Sequence, residues 1–470
     1  MKSPRALHIL PELAPYTGNS PRARAGALLC SGLAEFGVDV TVVAPAPRDP
    51  ERYGFARRLR PLAIPGDSGI IPVTIYEGVM AQGRVRTLLV QSEDIGVVCR
   101  AALCAAAKEK RWPHVVHATH GTELAPLLVK AGWLNQGAVP TTVFNLLGLH
   151  VPSRRDGGID RRAPFVRDAI AAATNNGVRS LAARDRALSI AIECSDAIVA
   201  ESPRYVHELL AADAADHHAL SLARVSERIR TIAAGVDTVE WKFHLDRHVL
   251  GHPRESLAQR KARTKLDLQR ELGLAPQRKR PMIGVVGPYE HLDEDTVVAL
   301  ERTRCQLAFL LDSQRDVNVL PMLRKLAKHR VAARFADTST LHRLTAAADF
   351  MLLPHNFEAK GTSQLNCCHY GTVPIAAKSG AFADTIIEID SNSATGNGIV
   401  YDLAEPDALS SAVKRAIRAF GAPQSFARIR SQMVKTDLSW RSAARRHAEL
   451  YMKGPRVRAD RTEKLATRLR

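Results

Sequence analysis

Short apolar runs alternate with segments of helical spacing along the first half of the chain. Residues 5–10 form a strand pattern that stops at Pro11, and residues 23–36 have helical spacing that ends at Gly37. The β-branched run at 39–44 predicts a second strand, so these segments form a βαβ unit, which implies a parallel sheet. The alternation continues with strand patterns at 115–118, 141–145, 196–201 and 228–233 and with helical patterns at 123–131 and from Pro203.

A second alternating set follows a change of character between residues 243 and 280. That stretch is charged, only partly helical and poor in apolar pattern, so we expect it to connect two domains. The segments beyond it predict strands at 281–286, 307–311, 349–354, 373–377 and 398–401 and helices at 340–348, 364–370 and 408–420. The sequence therefore predicts two doubly wound, Rossmann-like α/β domains, residues 1–242 and 281–436, and a basic helical segment at 437–470.

Composition is that of a soluble globular protein with more than one core. The chain has 470 residues, of which 46% are apolar and 24% are charged, and single cores do not grow to that length. Since no apolar run reaches about 18 residues, we expect no membrane-spanning helix and no membrane partner. The first residues lack the apolar stretch of a signal peptide, so we expect a cytoplasmic protein.

The cysteines and the net charge indicate which kinds of ligand to expect. Seven cysteines, with Cys367 next to Cys368 and none at metal-ligand spacing, favour buried free thiols over a metal or redox site. The formal net charge of +18 favours phosphate-bearing ligands, and dispersed surface arginines are the alternative explanation. Basic residues concentrate at 154–186 and 453–470 without interleaved aromatic residues, so we expect no nucleic-acid partner.

Motifs in a fixed order narrow the alternatives further. Residues 12–45 combine Glu-x-x-Pro, a loop, a helical segment and Gly-Val-Asp-Val before a strand, and residues 195–205 place Ser-Pro-x-Tyr after a strand. Gly-Val-Asp precedes a tryptophan at 235–241. Phe-Glu-Ala-Lys-Gly-Thr-Ser-Gln-Leu occupies 357–365, before Tyr-Gly-Thr-Val-Pro at 370–374. In this order the motifs resemble those of the bacterial glycogen and starch synthases, which are of the glycosyltransferase family 5 type.

That resemblance implies a fold and an activity. It implies the GT-B fold, in which two Rossmann-like domains face a cleft and a final helix, here with Trp440 and Tyr451, crosses back to the first domain. It also implies a retaining glucosyltransferase that moves glucose from a nucleotide sugar, ADP-glucose by resemblance, to an α-1,4-glucan. The donor is then a substrate, and we expect no cofactor and no metal.

The segment after residue 354 is the leading candidate for a donor site. A strand, a short loop and a helix that starts near Gly361 put free backbone N–H groups at a helix N-terminus, which suits a diphosphate. The resemblance implies that Glu358 is the catalytic carboxylate at the donor sugar, where it binds hydroxyls and steadies positive charge. The alternative is an acid that complements the helix dipole. The candidate ligand-binding residues around it are Lys360, Gly361, Thr362, Ser363 and Gln364.

The three residues after that helix have two interpretations. Tyr370 and Thr372 line the nucleotide or sugar pocket in the first. In the second, Gly371 stops the helix and Tyr370 belongs to the core. Both interpretations fit the sequence.

Several positions depart from the family pattern. The family's Lys-Thr-Gly-Gly loop is Gly-Asn-Ser-Pro at 18–21, Pro288 and Asp293 replace an arginine and a lysine, and Val-His-Asn is Val-Phe-Asn at 143–145. The run His-Ala-Thr-His-Gly-Thr at 117–122 lacks the family's last histidine. Each charge-assisted hydrogen bond to a phosphate is worth roughly 1.5–3 kcal/mol, so losing two lowers donor binding or rate by about 10²- to 10⁴-fold.

Nearby cations could replace those that are absent. Arg22 and Arg24 belong to the first loop region, and Lys360 lies between Glu358 and Gly361. Each could reach a diphosphate, and an ordinary solvated cation is the alternative for each. Two interpretations of function therefore remain. One is a divergent glucosyltransferase, and the other is a catalytically degenerate homologue that binds glucan, nucleotide or a protein partner without turnover.

Overall fold

The chain, analysed as a computed structural model, divides into two compact units. Unit 1 comprises Met1–Gly235 together with Trp440–Arg470, and unit 2 comprises Val236–Ser439. The structure describes residues 3–18, 20–66, 69–80, 85–134, 137–146, 164–175, 187–211, 217–287, 289, 297–298, 300, 302–303, 305–312, 316, 319–326, 330–354, 362–390, 392, 394–405 and 407–453.

Unit 1 is built on a mostly parallel sheet. In the described residues its strands are β1 (Arg5–Ile9), β2 (Asp39–Pro45), β3 (Ala56–Arg57), β4 (Leu62–Gly66), β5 (Gly69–Val73), β6 (Ile75–Val79), β7 (Arg86–Val90), β8 (Val115–Thr119), β9 (Thr141–Asn145), β10 (Ala197–Ala200) and β11 (Ile229–Thr231). They form a nine-stranded sheet, in the order β11-β10-β9-β8-β1-β2-β7-β6-β3, and a separate hairpin of β4 and β5. Neighbours from β11 to β7 are parallel, whereas β6 and β3 pair antiparallel.

Helices connect these strands, and side-chain caps determine where the first two begin. The described helices of unit 1 are α1 (Pro21–Glu35), α2 (Ile95–Lys108), α3 (Leu124–Lys130), α4 (Pro164–Asn175), α5 (Ala187–Cys194), α6 (Pro203–Ala211), α7 (His217–Arg224) and the C-terminal α15 (Trp440–Lys453). The Ser20 hydroxyl accepts from Ala23 N at 3.1 Å, and an Asp94 carboxylate oxygen accepts from Gly96 N at 2.7 Å. Such caps satisfy N–H groups that have no partner inside the helix.

Unit 2 contains an all-parallel sheet. Its described strands are β12 (Met282–Val286), β13 (Gln306–Leu311), β14 (Val331–Phe335), β15 (Phe350–Leu353), β16 (Val373–Ala377) and β17 (Ile399–Tyr401). They are ordered β14-β13-β12-β15-β16-β17. The described helices are α8 (Leu257–Glu271), α9 (Leu320–Arg324), α10 (Thr338–Ala347), α11 (Thr362–His369), α12 (Gly380–Thr385), α13 (Ala408–Phe420) and α14 (Pro423–Lys435). Ile283, Phe350 and Ile375, on three neighbouring strands, are fully buried and form part of its core.

The segment expected to connect the domains, residues 243–280, instead belongs to unit 2. Lys261 of α8 is buried, and its Nζ donates to the Ala346 carbonyl oxygen at 2.7 Å and to Thr372 Oγ1 at 2.6 Å. The charged composition favoured a connecting segment, but here the Ala346 carbonyl oxygen and the Thr372 hydroxyl supply the acceptors that a buried ammonium needs. The chain passes between the units at residues 235–236 and again at 439–440.

The region between β2 and α2 was not predicted to contain strands, yet β3 to β7 lie there. Several of these strands carry exposed residues on more than one side; in β5, Gly69, Ile70, Ile71 and Pro72 are all exposed. Strands of this kind lack the continuous apolar run that marks a buried parallel strand. The predicted strands near β1, β2, β8 to β13 and β15 to β17 are confirmed, with ends that differ by a residue or two.

The C-terminal helix packs in unit 1, as predicted. Trp440, Ala444 and Tyr451 belong to the same core as Leu33 of α1. The contact is close, because a Cβ added at Gly32 would lie 2.6 Å from the Ala444 Cβ. The basic tail at 454–470 lies outside the described residues.

All seven cysteines are buried and unpaired, which confirms the prediction of buried free thiols. Among the described helices, none combines the length and hydropathy needed to cross a membrane. The described residues also contain no group of three or more His, Cys, Asp or Glu side chains arranged to hold a metal ion.

Candidate functional site

Each sheet has a topological switch point, where two neighbouring parallel strands connect onward to opposite sides of the sheet. In unit 1 this position lies between β8 and β1, and in unit 2 it lies between β12 and β15. Open parallel sheets bind ligands beyond the carboxyl ends of the strands at such a position. The candidate functional residues are therefore those that follow these four strands, and each unit is described by itself.

In unit 2, the predicted donor segment follows β15. Residues 355–361, which include the predicted Glu358, Lys360 and Gly361, lie outside the described residues. Helix α11 begins at Thr362, and Thr362 and Ser363 are half-buried in its first turn. The first backbone N–H groups of this helix lack intrahelical partners and are suited to an anion.

Gln364 in the same turn is buried and ties α11 to its neighbours. Its Nε2 donates to Cys368 Sγ at 3.3 Å, and its Oε1 accepts from Thr385 Oγ1 at 3.1 Å. Its amide is therefore used to orient the helix, so that the backbone groups of Thr362 and Ser363 are held in place.

The three residues after α11 fit the second interpretation, in which Gly371 stops the helix and Tyr370 belongs to the core. Tyr370 is fully buried and its hydroxyl donates to Asp246 Oδ2 at 2.5 Å. Gly371 has a φ of +63°, the left-handed conformation with which helices commonly end. Thr372 is fully buried, accepts from Lys261 Nζ at 2.6 Å and donates to the Thr345 carbonyl oxygen at 2.5 Å. Both hydroxyls are occupied within unit 2.

The segment after β12 begins with a buried aromatic side chain. Tyr289 is 3% exposed, and its hydroxyl lies 2.6 Å from the Leu310 carbonyl oxygen and 2.8 Å from the Val285 carbonyl oxygen. Burial raises the pKa of Tyr289 well above its usual range. Pro288 and Asp293, where the family has cations, lie outside the described residues. The described part of this segment, Gly287 and Tyr289, supplies no cation.

In unit 1, the segment after β1 folds back on Glu12. The Ser20 hydroxyl, which caps α1, donates to Glu12 Oε1. A Cβ at Gly18 would lie 2.6 Å from Glu12 Oε2, so a side chain there would displace the carboxylate. Arg22 and Arg24 lie in the first turn of α1, where both are half-buried.

The segment after β8 contains a histidine–glutamate pair that sequence reasoning missed. His120 Nδ1 lies 2.6 Å from Glu123 Oε1, which also accepts from Gly121 N at 2.7 Å. Glu123 is buried, and its Oε2 has no hydrogen-bond partner among the described residues. The Thr122 hydroxyl bonds to the carbonyl oxygens of Ile9 and Thr119 at 3.1 and 2.8 Å, which ties this turn to β1 and β8.

This pair holds an imidazole at the switch position of unit 1. The hydrogen bond at Nδ1 fixes the ring orientation of His120, and Nε2 is then available to a ligand hydroxyl. By contrast, His117 is fully buried and stacks on His8 with ring centroids 4.4 Å apart. The signal in the sequence is a His-Gly-x-Glu run directly after an apolar strand.

Comparison with known proteins identifies the family. No protein-family model matches the chain. Glycogen synthase 2 of Geobacter metallireducens is 28% identical over 497 residues, which cover 95% of this chain and 98% of that protein. Glycogen synthase of Bordetella parapertussis is 30% identical over 372 residues, which cover 73% of this chain and 69% of that protein. This chain belongs to the glycogen synthase family.

Solved structures agree on the fold. The catalytic domain of starch synthase IV from Arabidopsis thaliana, in a structure bound to ADP and acarbose, has a TM-score of 0.76 at 20% identity. That likeness covers 96% of this chain and 99% of the starch synthase chain. The GT-B fold predicted from the sequence is therefore confirmed, and this member of the glycogen synthase family is a glucosyltransferase by resemblance.

Proposed function

We propose that this protein transfers glucose from ADP-glucose to an α-1,4-glucan with retention of configuration. The observation that carries the proposal is the likeness to a glycogen synthase along 95% of this chain and 98% of the relative. A likeness of that extent includes both units. The ADP and acarbose bound to starch synthase IV support a nucleotide donor and a glucan-like acceptor.

The donor is proposed to bind at the N-terminus of α11. The backbone N–H groups of Thr362 and Ser363 would bind the diphosphate, because a helix N-terminus favours anions. Glu358 would place a carboxylate at the donor sugar and stabilise positive charge that develops at its anomeric carbon. The donor is consumed as a substrate, and the proposal requires neither a cofactor nor a metal.

In unit 1, His120 is proposed to bind a sugar hydroxyl. Its imidazole is already oriented by a buried carboxylate, so it would lose little freedom when it binds a sugar hydroxyl. This role would explain why a carboxylate is buried at the carboxyl ends of β1 and β8.

A direct assay tests turnover. Purified protein is incubated with ADP-glucose or UDP-glucose, with and without glycogen, and nucleotide release is measured. We expect release of ADP only when glycogen is present, and loss of that release in Glu358→Gln. The control Glu405→Gln changes an exposed carboxylate of unit 2 and should leave the rate unchanged. Equal release by Glu358→Gln and by the unchanged protein would exclude the proposed role of Glu358.

A second candidate function is binding of nucleotide or glucan without turnover. It is favoured by the segment after β12, where Pro288 and Asp293 stand in place of cations and Tyr289 is packed into the core. The same assay separates the two candidates when it is combined with calorimetric titration. Binding of ADP-glucose with no nucleotide release, in the presence of glycogen, would establish this second function.

Replacement of the missing cations can be tested at Lys360. We expect Lys360→Ala to weaken ADP-glucose binding by about 1.5–3 kcal/mol, roughly ten- to a hundred-fold, because one charge-assisted bond to phosphate is lost. Calorimetric titration measures the affinity, and thermal melting should shift little. Lys414→Ala, an exposed lysine of α13, is the control. Equal affinities for the Lys360 and Lys414 variants would exclude the proposed replacement of the missing cations by Lys360.

A further inference from the structure

A cleft lies at the amino-terminal edge of the unit 1 sheet, opposite to the edge that carries His120. The first residues of three adjacent strands line it, namely Arg5 of β1, Asp39 of β2 and Arg86 of β7. Arg111, which follows α2, completes the polar rim, and Leu7 and Leu88 contribute apolar surface. The cleft opens to solvent, and the centre of a water-sized sphere can move within about 20 Å³ of it.

Arg86, one of the three arginines of the cleft, is already neutralised by carboxylates that it shares with Arg58 outside the cleft. Arg86 Nε donates to Glu77 Oε1 at 2.7 Å, and its Nη1 lies 2.8 Å from Glu109 Oε2. Arg58 binds the same two glutamates, at 2.9 Å from Glu77 Oε2 and 2.5 Å from Glu109 Oε1. These two arginines and two glutamates form a group without net charge.

Arg111 is paired as well, but only through one of its nitrogens. Its Nη2 donates to both carboxylate oxygens of Asp39, at 2.9 and 2.8 Å. Its side chain remains 43% exposed. The Nη1 and Nε groups make no hydrogen bond to the described residues, so they can bind a second anion while Asp39 stays in place.

Arg5 is the third arginine of the cleft. It has no carboxylate partner in the part of the chain that the structure describes, and its Nε is buried without any hydrogen bond. Its backbone N–H is used separately, since it donates to His114 Nδ1 at 2.9 Å. A bound water or ion can satisfy a buried donor of this kind. The cleft therefore carries one uncompensated positive charge, mounted on the first residue of a central strand.

We propose that this cleft binds a phosphate group, with Arg5 as its main ligand and Arg111 at the rim. The planar guanidinium presents paired N–H groups that match two oxygens of a phosphate. Inorganic phosphate and the phosphate group of a small sugar ester share this chemistry. The site would be separate from the proposed donor site, because it lies at the amino ends of the unit 1 strands.

Titration calorimetry with inorganic phosphate tests the site on the full chain. We expect Arg5→Gln to bind phosphate about ten- to a hundred-fold more weakly. Arg60→Gln changes an exposed arginine outside the cleft and should bind phosphate like the unchanged protein. Absence of binding by the unchanged protein, or equal affinity in Arg5→Gln, would overturn the proposal.

Two further measurements use the unchanged protein, so their results do not depend on whether Arg5→Gln folds. The first of them distinguishes between possible ligands. Titration with glucose 1-phosphate at the same ionic strength shows whether the cleft prefers a sugar ester, whereas equal binding of chloride would contradict a phosphate site. In the unchanged protein, phenylglyoxal modifies accessible guanidinium groups, and peptide mass spectrometry locates them. Phosphate should slow modification of Arg5 and leave Arg60 unaffected. An unchanged rate at Arg5 would refute the site.

Discussion

Helix α15 of unit 1 and helix α8 of unit 2 both lie outside the strand–helix alternation, and different chemistry holds the two helices in place. In unit 1, α15 is held by imidazole and phenol rings. In unit 2, α8 is held by lysine ammonium groups. A helix can therefore be held against a sheet by neutral polar rings or by buried charged groups. We expect the first kind of contact to respond to acidification and the second to the loss of a counter-charge.

Three buried histidines and a tyrosine join α15 to the unit 1 sheet. The Tyr451 hydroxyl is hydrogen-bonded to His117 Nδ1 and lies 3.1 Å from His8 Nε2. The ring of His447 stacks on that of His117 with centroids 5.7 Å apart. Burial, with repulsion from His447 as a second cause, lowers the pKa of His8 to about 3, and burial lowers the pKa of His447 to about 4. These rings are therefore uncharged at neutral pH.

Charged side chains hold α8 in unit 2. Lys265 Nζ donates to Asp349 Oδ2 at 2.6 Å, and Lys261 Nζ donates to Thr372 Oγ1 at 2.6 Å. Arg430 Nη1 lies 3.5 Å from the other oxygen of Asp349. Burial, followed by repulsion from Arg430, lowers the pKa of Lys261 well below its usual value. Asp349 thus serves two cations in a buried environment.

The largest expected effect is the loss of that carboxylate. We expect Asp349→Ala to destabilise unit 2 by about 3–5 kcal/mol, because Lys265 would remain buried without its counter-charge. Chemical denaturation measures the free energy of unfolding. The matched control is Asp39→Ala, which breaks an exposed ion pair with Arg111 and should cost less than about 1 kcal/mol. Equal costs for the two substitutions would contradict the importance of buried charge in unit 2.

Acidification should act on unit 1 through its histidines. A histidine whose folded-state pKa is depressed contributes stability above its unfolded pKa of about 6.5, and that stability is lost as the pH falls toward the folded value. Between pH 7 and pH 5 we expect a loss of about 2 kcal/mol for each of His8 and His447. Hydrogen exchange of the amides at 440–453, corrected for the intrinsic rate at each pH, measures this loss.

Substitutions distinguish the effect of the buried histidines on this pH dependence from that of exposed histidines. His447→Gln should reduce the pH dependence of exchange at 440–453, since one buried titrating group is removed. His252→Gln changes an exposed histidine of unit 2 and should leave that dependence as it is. Exchange at 440–453 that does not change between pH 7 and pH 5 would show that neutral histidines do not hold α15.

The smallest of these effects is expected at Tyr451. Tyr451→Phe keeps the ring in the core but removes the hydroxyl that bonds His117 and His8, leaving buried nitrogens without a partner. We expect a loss of about 1–3 kcal/mol in the free energy of unfolding. Urea unfolding measures it, with Tyr76→Phe as control, because the Tyr76 hydroxyl makes one bond to Gln91. A larger loss in the control would place the main stabilisation outside the histidine cluster.

Local sequence pattern was sufficient for most of the two sheets. Strands such as β15 and β16 are buried on both faces, so they are continuous apolar runs that can be recognised without knowledge of their neighbours. The family was identifiable for a related reason, because its motifs are contiguous segments. The same locality explains what was missed, since β4 and β5 alternate or expose their side chains and contain Pro65 and Pro72.

The sequence by itself determined the α/β alternation, the GT-B fold, the family and the candidate donor segment at 357–365. Only the tertiary structure decided which polar residues are buried. Tyr451 meets His8 across 443 residues of chain, and Tyr370 meets Asp246 across 124. It also decided that His120 is paired with a buried Glu123 and that α8 belongs to unit 2. The physical reason is that a lysine, histidine or tyrosine is buried only where distant segments bring an acceptor or donor to it, and no local pattern records that partner.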